Sequence, residues 1–195
     1  VVEVDLLNGK QASVGKAQFT YQLTKKGLEV KVNFQPNIEI IKSLARVGLA
    51  FEMPDTYSNI NFLAKNEETY ADRREAGKID FVQATVPELF HTYVVPQSTG
   101  NRMDARWMNL TNENGFGLEF TSNQPFEFSV YPYDDNALDK ATHINQLKES
   151  GNLTVHLDVK QTGVGTATCG PGVLPQYLVP VKDYQFEFAL TPVKK

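Results

Sequence analysis

The chain has 195 residues, 41% of them apolar, and a net charge of −4, which is enough for one folded domain with a sizeable core. Mild acidity without a run of Lys or Arg argues against nucleic acid and against an anionic membrane surface, and no apolar stretch approaches the ~18 residues of a membrane-spanning helix. A single cysteine, Cys169, excludes an internal disulfide and a cysteine-rich metal cage, and leaves cytoplasm and periplasm both open.

Period-two alternation dominates from the start. Residues 1–16 read as a leading strand and 17–23 as the next. LEVKVNF then sets Leu28, Val30, Val32 and Phe34 on one face and Glu29, Lys31 and Asn33 on the other, and RVGLAFEM repeats the pattern through Val47, Leu49 and Phe51. Further strands are predicted at 59–64, 79–85, 105–112, 117–122, 126–132, 153–160 and 183–190. LTKKG, NENG at 112–115 and SNQP at 122–125 are predicted reversals between them. One helix is predicted, with Asp134 or Asp135 as N-cap, Leu138, Ala141, Ile144 and Leu147 at helical spacing, and Gly151 as the stop. The pattern describes one mostly antiparallel β-domain without repeats, low-complexity segments or linkers. The chain opens on Val1 rather than Met, so a missing leader peptide carries no weight.

Catalytic constellations are weak. Glu67, Glu68 and Asp72 lie together and could suggest a glycosidase carboxylate pair. Arg73 and Arg74 follow them, however, and guanidinium groups lower carboxylate pKa values, so a salt-bridged loop is the simpler expectation. His91, His143 and His156 show no metal-ligand spacing, and Cys169 has no base written nearby. Arg102, Asp104 and Arg106 alternate along a strand that carries the sole tryptophan, Trp107, and are expected to form an Arg–Asp–Arg ladder. Asn109-Leu-Thr111 and Asn152-Leu-Thr154 match the glycosylation sequon and are read as chance matches. The segment GVGTATCGP, Gly163 to Pro171, joins two strands with three glycines and a proline, a loop shaped either for its own geometry or for a nearby ligand or subunit.

ARVGLAFEMP at 45–54, EETYADR at 67–73, VVPQSTGNRMDARWMNLTN at 94–112, PFEFSVYPYDDNALDKATHINQL at 125–147 and GVGTATCGPGVLPQY at 163–177 together resemble the C-terminal, small-chain domain of family 2 β-galactosidases. Order and spacing match from about residue 45 onward, with 1–44 fitting as opening strands. The resemblance implies an all-β fold, a large antiparallel β-sandwich (a supersandwich of galactose-mutarotase-like shape) with one short helix, spanning 1–195 as a single domain. It also implies that the domain follows a catalytic (β/α)₈ barrel. The Glu acid/base and Glu nucleophile of the parent hydrolase belong to that barrel, so this chain alone is expected to be inactive.

By the same resemblance the domain packs on the barrel through Glu68, Tyr70, Asp72, Arg73, Arg102, Asp104 and Arg106. Thr168, Cys169 and Gly170 of the late loop reach a galactoside at the domain edge. No cofactor or metal is expected in this chain, although Mg or Na is expected for the parent, which is expected to be a homo-oligomer. Some family members carry GGDDSW in the late loop, with a Trp platform for the sugar; here TATCG stands instead, with Cys169 nearest that Trp. Leu63, Ala64, Lys65 and Asn66 likewise replace an aromatic and Gly-Arg-Gly-Pro run. The rival expectations are a free-standing carbohydrate-binding sandwich, which should expose several aromatics on one face, and a mutarotase-like epimerase using His91 near Glu88.

Overall fold

The computed structural model describes residues 1–166 and 170–194. Ten strands follow the alternating segments: β1 (Val2–Leu7), β2 (Ser13–Leu23), β3 (Leu28–Pro36), β4 (Arg46–Pro54), β5 (Asn59–Lys65), β6 (Ile79–Thr85), β7 (Arg102–Thr111), β8 (Phe116–Tyr131), β9 (Asn152–Gln161) and β10 (Tyr184–Lys194). Two short helices, α1 (Val86–Leu89) and α2 (Asp135–Lys140), lie between strands. All pairings are antiparallel. One long sheet runs β1-β2-β3-β10-β8-β7-β5-β6, and a ribbon of β9 and β4 branches from β8.

Strand β8 makes the branch. Residues 116–122 pair with β10, and residues 127–131 pair with β9. The segment Ser122–Pro125 is therefore not the reversal the sequence suggests. Ala105 and Trp107 of β7 flank one residue, whereas their β8 partners Phe126 and Thr121 flank four, so the surplus bulges outward with Asn123, Gln124 and Pro125 exposed. A bulge tolerates the missing N–H of Pro125 and bends the strand towards the second layer.

The branch folds over the long sheet. Phe51 of β4 rests 5.6 Å from Phe120 of β8, although β4 pairs only with β9. The core between the layers continues through Phe62 and Phe128, 5.1 Å apart edge to face, and Phe126 and Phe188 at 5.5 Å. The inward residues of β3 and β10 join the same cluster as Val47, Met53, Leu153 and Leu157 of the ribbon. The mostly antiparallel β-domain expected from alternation, and the sandwich that the resemblance implied, are the observed architecture.

The predicted helix is much shorter than its pattern. Asp134 caps α2 by accepting from the N–H groups of Asn136 and Ala137, but Ala141 is already extended and ends it. Gln146 then turns its side-chain oxygen back onto the N–H of Thr142, leaving a 3₁₀ turn at Ile144–Gln146. Leu138 and Ala141 are buried as the spacing suggests, while Ile144 is 39% exposed. Without a buried partner for Ile144, nothing repays continuing the helix. Residues 1–16, read as one leading strand, contain β1 and the start of β2, with a turn at Asn8–Ala12 between them.

Candidate functional site

The connection from β5 to β6, residues 66–78, carries most of the predicted interface residues. Its base is fixed by Thr69, which is fully buried: its N–H donates to Asn101 O at 2.9 Å and its hydroxyl accepts from Met103 N at 3.0 Å. Asn101 returns its amide to Thr69 O at 2.8 Å and also donates to Glu127 at 2.9 Å. Beside it the Tyr70 hydroxyl donates to Glu68 at 2.6 Å, and burial together with that carboxylate pushes the phenol above its ordinary range.

From this base the connection reaches the late loop. The Asp72 carboxylate accepts from Val164 N at 3.1 Å and Gly165 N at 2.7 Å, while Arg73 donates to Gly165 O at 2.8 Å. Burial works to raise the Asp72 pKa, but the N–H groups of Gly165 and Val164 outweigh it and the carboxyl is held below its ordinary value. Two glycines make the clamp possible. Gly165 has φ +60°, and a Cβ at Gly163 would lie 2.7 Å from the Asp72 carboxyl carbon. Asp72, Arg73, Thr166, Pro171, Leu174 and Tyr177 help to line a cleft of about 340 Å³ at this junction. Gly170 is exposed at its edge, whereas Thr168 and Cys169 lie outside the described residues.

Among the described residues the cluster's carboxylates form no ion pair with Arg73 or Arg74, contrary to the expected salt-bridged loop. Glu68 is engaged by Tyr70, Asp72 by backbone N–H groups and Arg73 by a carbonyl, and Arg74 is paired with Asp104. Nor do Arg102, Asp104 and Arg106 form a ladder. Asp104 adopts φ +58°, a left-handed conformation that aspartate tolerates, within a stretch where the β7–β8 register shifts twice. That kink breaks the alternation on which the ladder depended. Arg102 is buried and donates to Asn101 O at 3.4 Å, and desolvation lowers its pKa against the opposing charges of Glu68 and Glu67. Arg106 is exposed and donates to the Asp104 carbonyl at 3.1 Å. Arg106→Ala is accordingly expected to change stability by no more than about 0.5 kcal/mol, read as an unchanged thermal midpoint. A loss of several degrees would mean that Arg106 supports Asp104 after all.

A second polar network lies on the outer face of β4, β9 and β8, and sequence reasoning missed it. Asp158, 1% exposed, meets Arg46 Nη2 at 2.8 Å and stands opposite Glu127 in the β8–β9 ladder. Burial pushes the Asp158 carboxyl up to about 7, with Arg46 pulling it down and Glu127 pushing it up. Gly48 faces Asp158 across β4–β9, where any Cβ would collide with the Leu157 carbonyl and the Asp158 carboxylate. Further along, the Tyr131 hydroxyl lies 2.6 Å from Asp135 and 2.9 Å from His156 Nε2, and His156 lies 3.1 Å from Asp135. The signal in the sequence was His156 and Asp158, two residues apart on the polar face of a strand with apolar neighbours on the other.

The pair considered for epimerase chemistry does not form a unit. Glu88 caps α1 by accepting from the N–H and hydroxyl of Thr85, and the His91 ring meets Tyr93 edge to face at 4.3 Å. His143 is exposed at the 3₁₀ turn. Among the described residues no group of three or more His, Cys, Asp or Glu converges as a metal site, and no helix is long and apolar enough to cross a membrane.

The sequence matches the family model described as beta galactosidase small chain over residues 2–190. The chain belongs to that family. The small-chain match extends through residues 2–44, which the motif resemblance covered only as opening strands. The chain is 33% identical to a beta-galactosidase of Kluyveromyces lactis over 147 residues, covering 74% of this chain and 14% of that protein. A beta-galactosidase of Halalkalibacterium halodurans is 29% identical over 182 residues, covering 91% of this chain and 17% of its own length. A solved structure of an Escherichia coli K12 protein provisionally assigned as an aldose 1-epimerase covers 99% of this chain and 64% of its own, with a TM-score of 0.47 and 10% identity. This small chain thus spans less than a fifth of the length of the curated relatives named here.

Proposed function

We propose that the chain is the non-catalytic C-terminal domain of a β-galactosidase, a single sandwich that packs on a catalytic barrel and lends its late loop to the rim of the galactoside pocket. The observation that carries this reading is the clamp of Asp72 and Arg73 on Val164 and Gly165. It fixes a glycine-rich loop beside a cleft, on a chain whose relatives are named beta-galactosidase and are several times longer. The carboxylates support the same reading. Glu68 and Asp72 are committed to internal hydrogen bonds, and an Asp held below its ordinary pKa is a poor general acid near neutral pH.

In this proposal Glu68, Tyr70 and Arg102 shape the docking segment from within, while Arg73, Asp104 and Arg106 lie nearer its surface. Thr168, Cys169 and Gly170 would meet the aglycone side of the sugar. The same reading extends to the parent, which uses Mg or Na and assembles as a homo-oligomer. The test is hydrolysis of a chromogenic β-galactoside by this chain, by a barrel-containing fragment, and by their mixture. Activity confined to the mixture is the expected result. Turnover by this chain alone would place catalytic carboxylates here and overturn the reading.

A further inference from the structure

The outer face of β5, β6 and β7, which the proposed function leaves unused, carries three rows of cross-strand side chains. Phe81, Leu63 and Trp107 are in register, and so are Gln83, Asn61 and Asn109, two residues along each strand and therefore on the same face. The third row is Thr85, Asn59 and Thr111. The aromatic row is open: Phe81 is 52% exposed, with its ring centroid 5.9 Å from that of the half-buried Trp107. The amide row is linked end to end. Gln83 Nε2 donates to Asn61 Oδ1 at 2.9 Å, and Asn61 Nδ2 donates to Asn109 Oδ1 at 2.9 Å.

A solvated sheet face keeps its amides in water. Here Asn61 and Asn109 are each 5% exposed and Thr111 is 3% exposed, and Asn61, Gln83 and Thr111 line a cleft of about 560 Å³. The lining has one carboxylate, Glu113, and no cation. The amide chain ends with an acceptor at Gln83 Oε1 and a donor at Asn109 Nδ2. A ligand suited to this surface must be neutral, must donate and accept hydrogen bonds at neighbouring positions, and must present an apolar face to an aromatic ring. An anion would lack a cation, and a hydrocarbon would strand the amides. A hexopyranoside meets all three conditions, with its axial C–H face on the ring and its hydroxyls on the amides.

We propose that this face is a carbohydrate-binding surface, built from residues other than the late loop, with Phe81 and Trp107 as the platform and Gln83, Asn61 and Asn109 as the hydrogen-bonding row. Trp107 is the sole tryptophan, so its emission reports on this surface alone. Titration of the full chain with lactose should change that emission saturably, with half-saturation in the millimolar range, while glycerol at equal concentration should not. Phe81→Ala and Gln83→Ala, both on the exposed edge strand β6, should each weaken the response by roughly three- to tenfold with an unchanged far-UV circular dichroism spectrum. A flat lactose titration, or one identical in Phe81→Ala, overturns the proposal. Protection of Trp107 from iodide by the barrel fragment, with no response to lactose, also overturns it and assigns the face to polypeptide. None of these readings depends on whether the mixture hydrolyses a galactoside.

Discussion

Arg46→Met is expected to lower the unfolding free energy by about 3–5 kcal/mol at pH 8 and by much less at pH 5. Arg46 lies 2.8 Å from Asp158, whose side chain is 2% exposed, and Glu127 stands directly opposite with its own carboxyl raised by burial. Asp158 thus depends on this guanidinium, whereas Glu127 is held first by Asn101, the Gln161 N–H and Lys160 with Arg46 behind them, and Asp135 adds negative charge towards Asp158. Removing the cation leaves Asp158 either charged without its main compensation or holding a proton at a free-energy cost above neutral pH.

The sign of the pH dependence follows from the raised pKa values. Burial pushes the Asp158 carboxyl up to about 7 in the folded chain from its ordinary 3.8, and Glu127 is shifted the same way. The folded state therefore holds these protons more tightly than the unfolded one. The stability they contribute is complete below about pH 4 and is lost as pH rises through 7. Asp135 opposes this, because its bonds to His156 and Tyr131 lower its pKa and its contribution is lost on acidification. Urea denaturation at the two pH values measures the difference. An equal loss from Arg46→Met at both would mean that its packing, rather than its charge on Asp158 and Glu127, supports the ribbon. Asp158→Asn should in turn flatten the decline between pH 5 and 8.

The sheet was legible because alternation is a local signal. Val30, Val32, Phe186 and Phe188 each sit at the second residue of a period, and the core takes them all. What alternation cannot show is which strand lies opposite which. The SNQP segment has turn composition, yet β8 runs through it because β10 pairs on one side of the bend and β9 on the other. Asp104 broke the expected ladder through a φ of +58° that no residue type in the run demands. The Arg46–Asp158–Glu127 network joins residues 112 positions apart or 31 apart, so its members look unremarkable one at a time. The Asp72 clamp was half visible. Its residues lay in two noted segments, but only folding brings Asp72 within 2.7 Å of Gly165.

Asp72→Ala is expected to reduce kcat/KM of the reconstituted enzyme by about tenfold or more for a bulky aglycone, while association with the barrel fragment is retained. The carboxylate is the shared acceptor for the Val164 and Gly165 N–H groups, and Arg73 alone cannot hold both. The stability of the chain should fall by only about 1 kcal/mol, because the clamp is partly solvated and water can replace the lost acceptor. The large effect is therefore on positioning. Gly163→Ala tests the same clamp from the other side, since its Cβ would press on the Asp72 carboxyl at 2.7–2.9 Å. If both substitutions act by releasing the loop, the double variant should be little worse than either alone. Additive losses would show that Gly163 and Asp72 act separately, and wild-type turnover in Asp72→Ala would remove the late loop from the pocket rim.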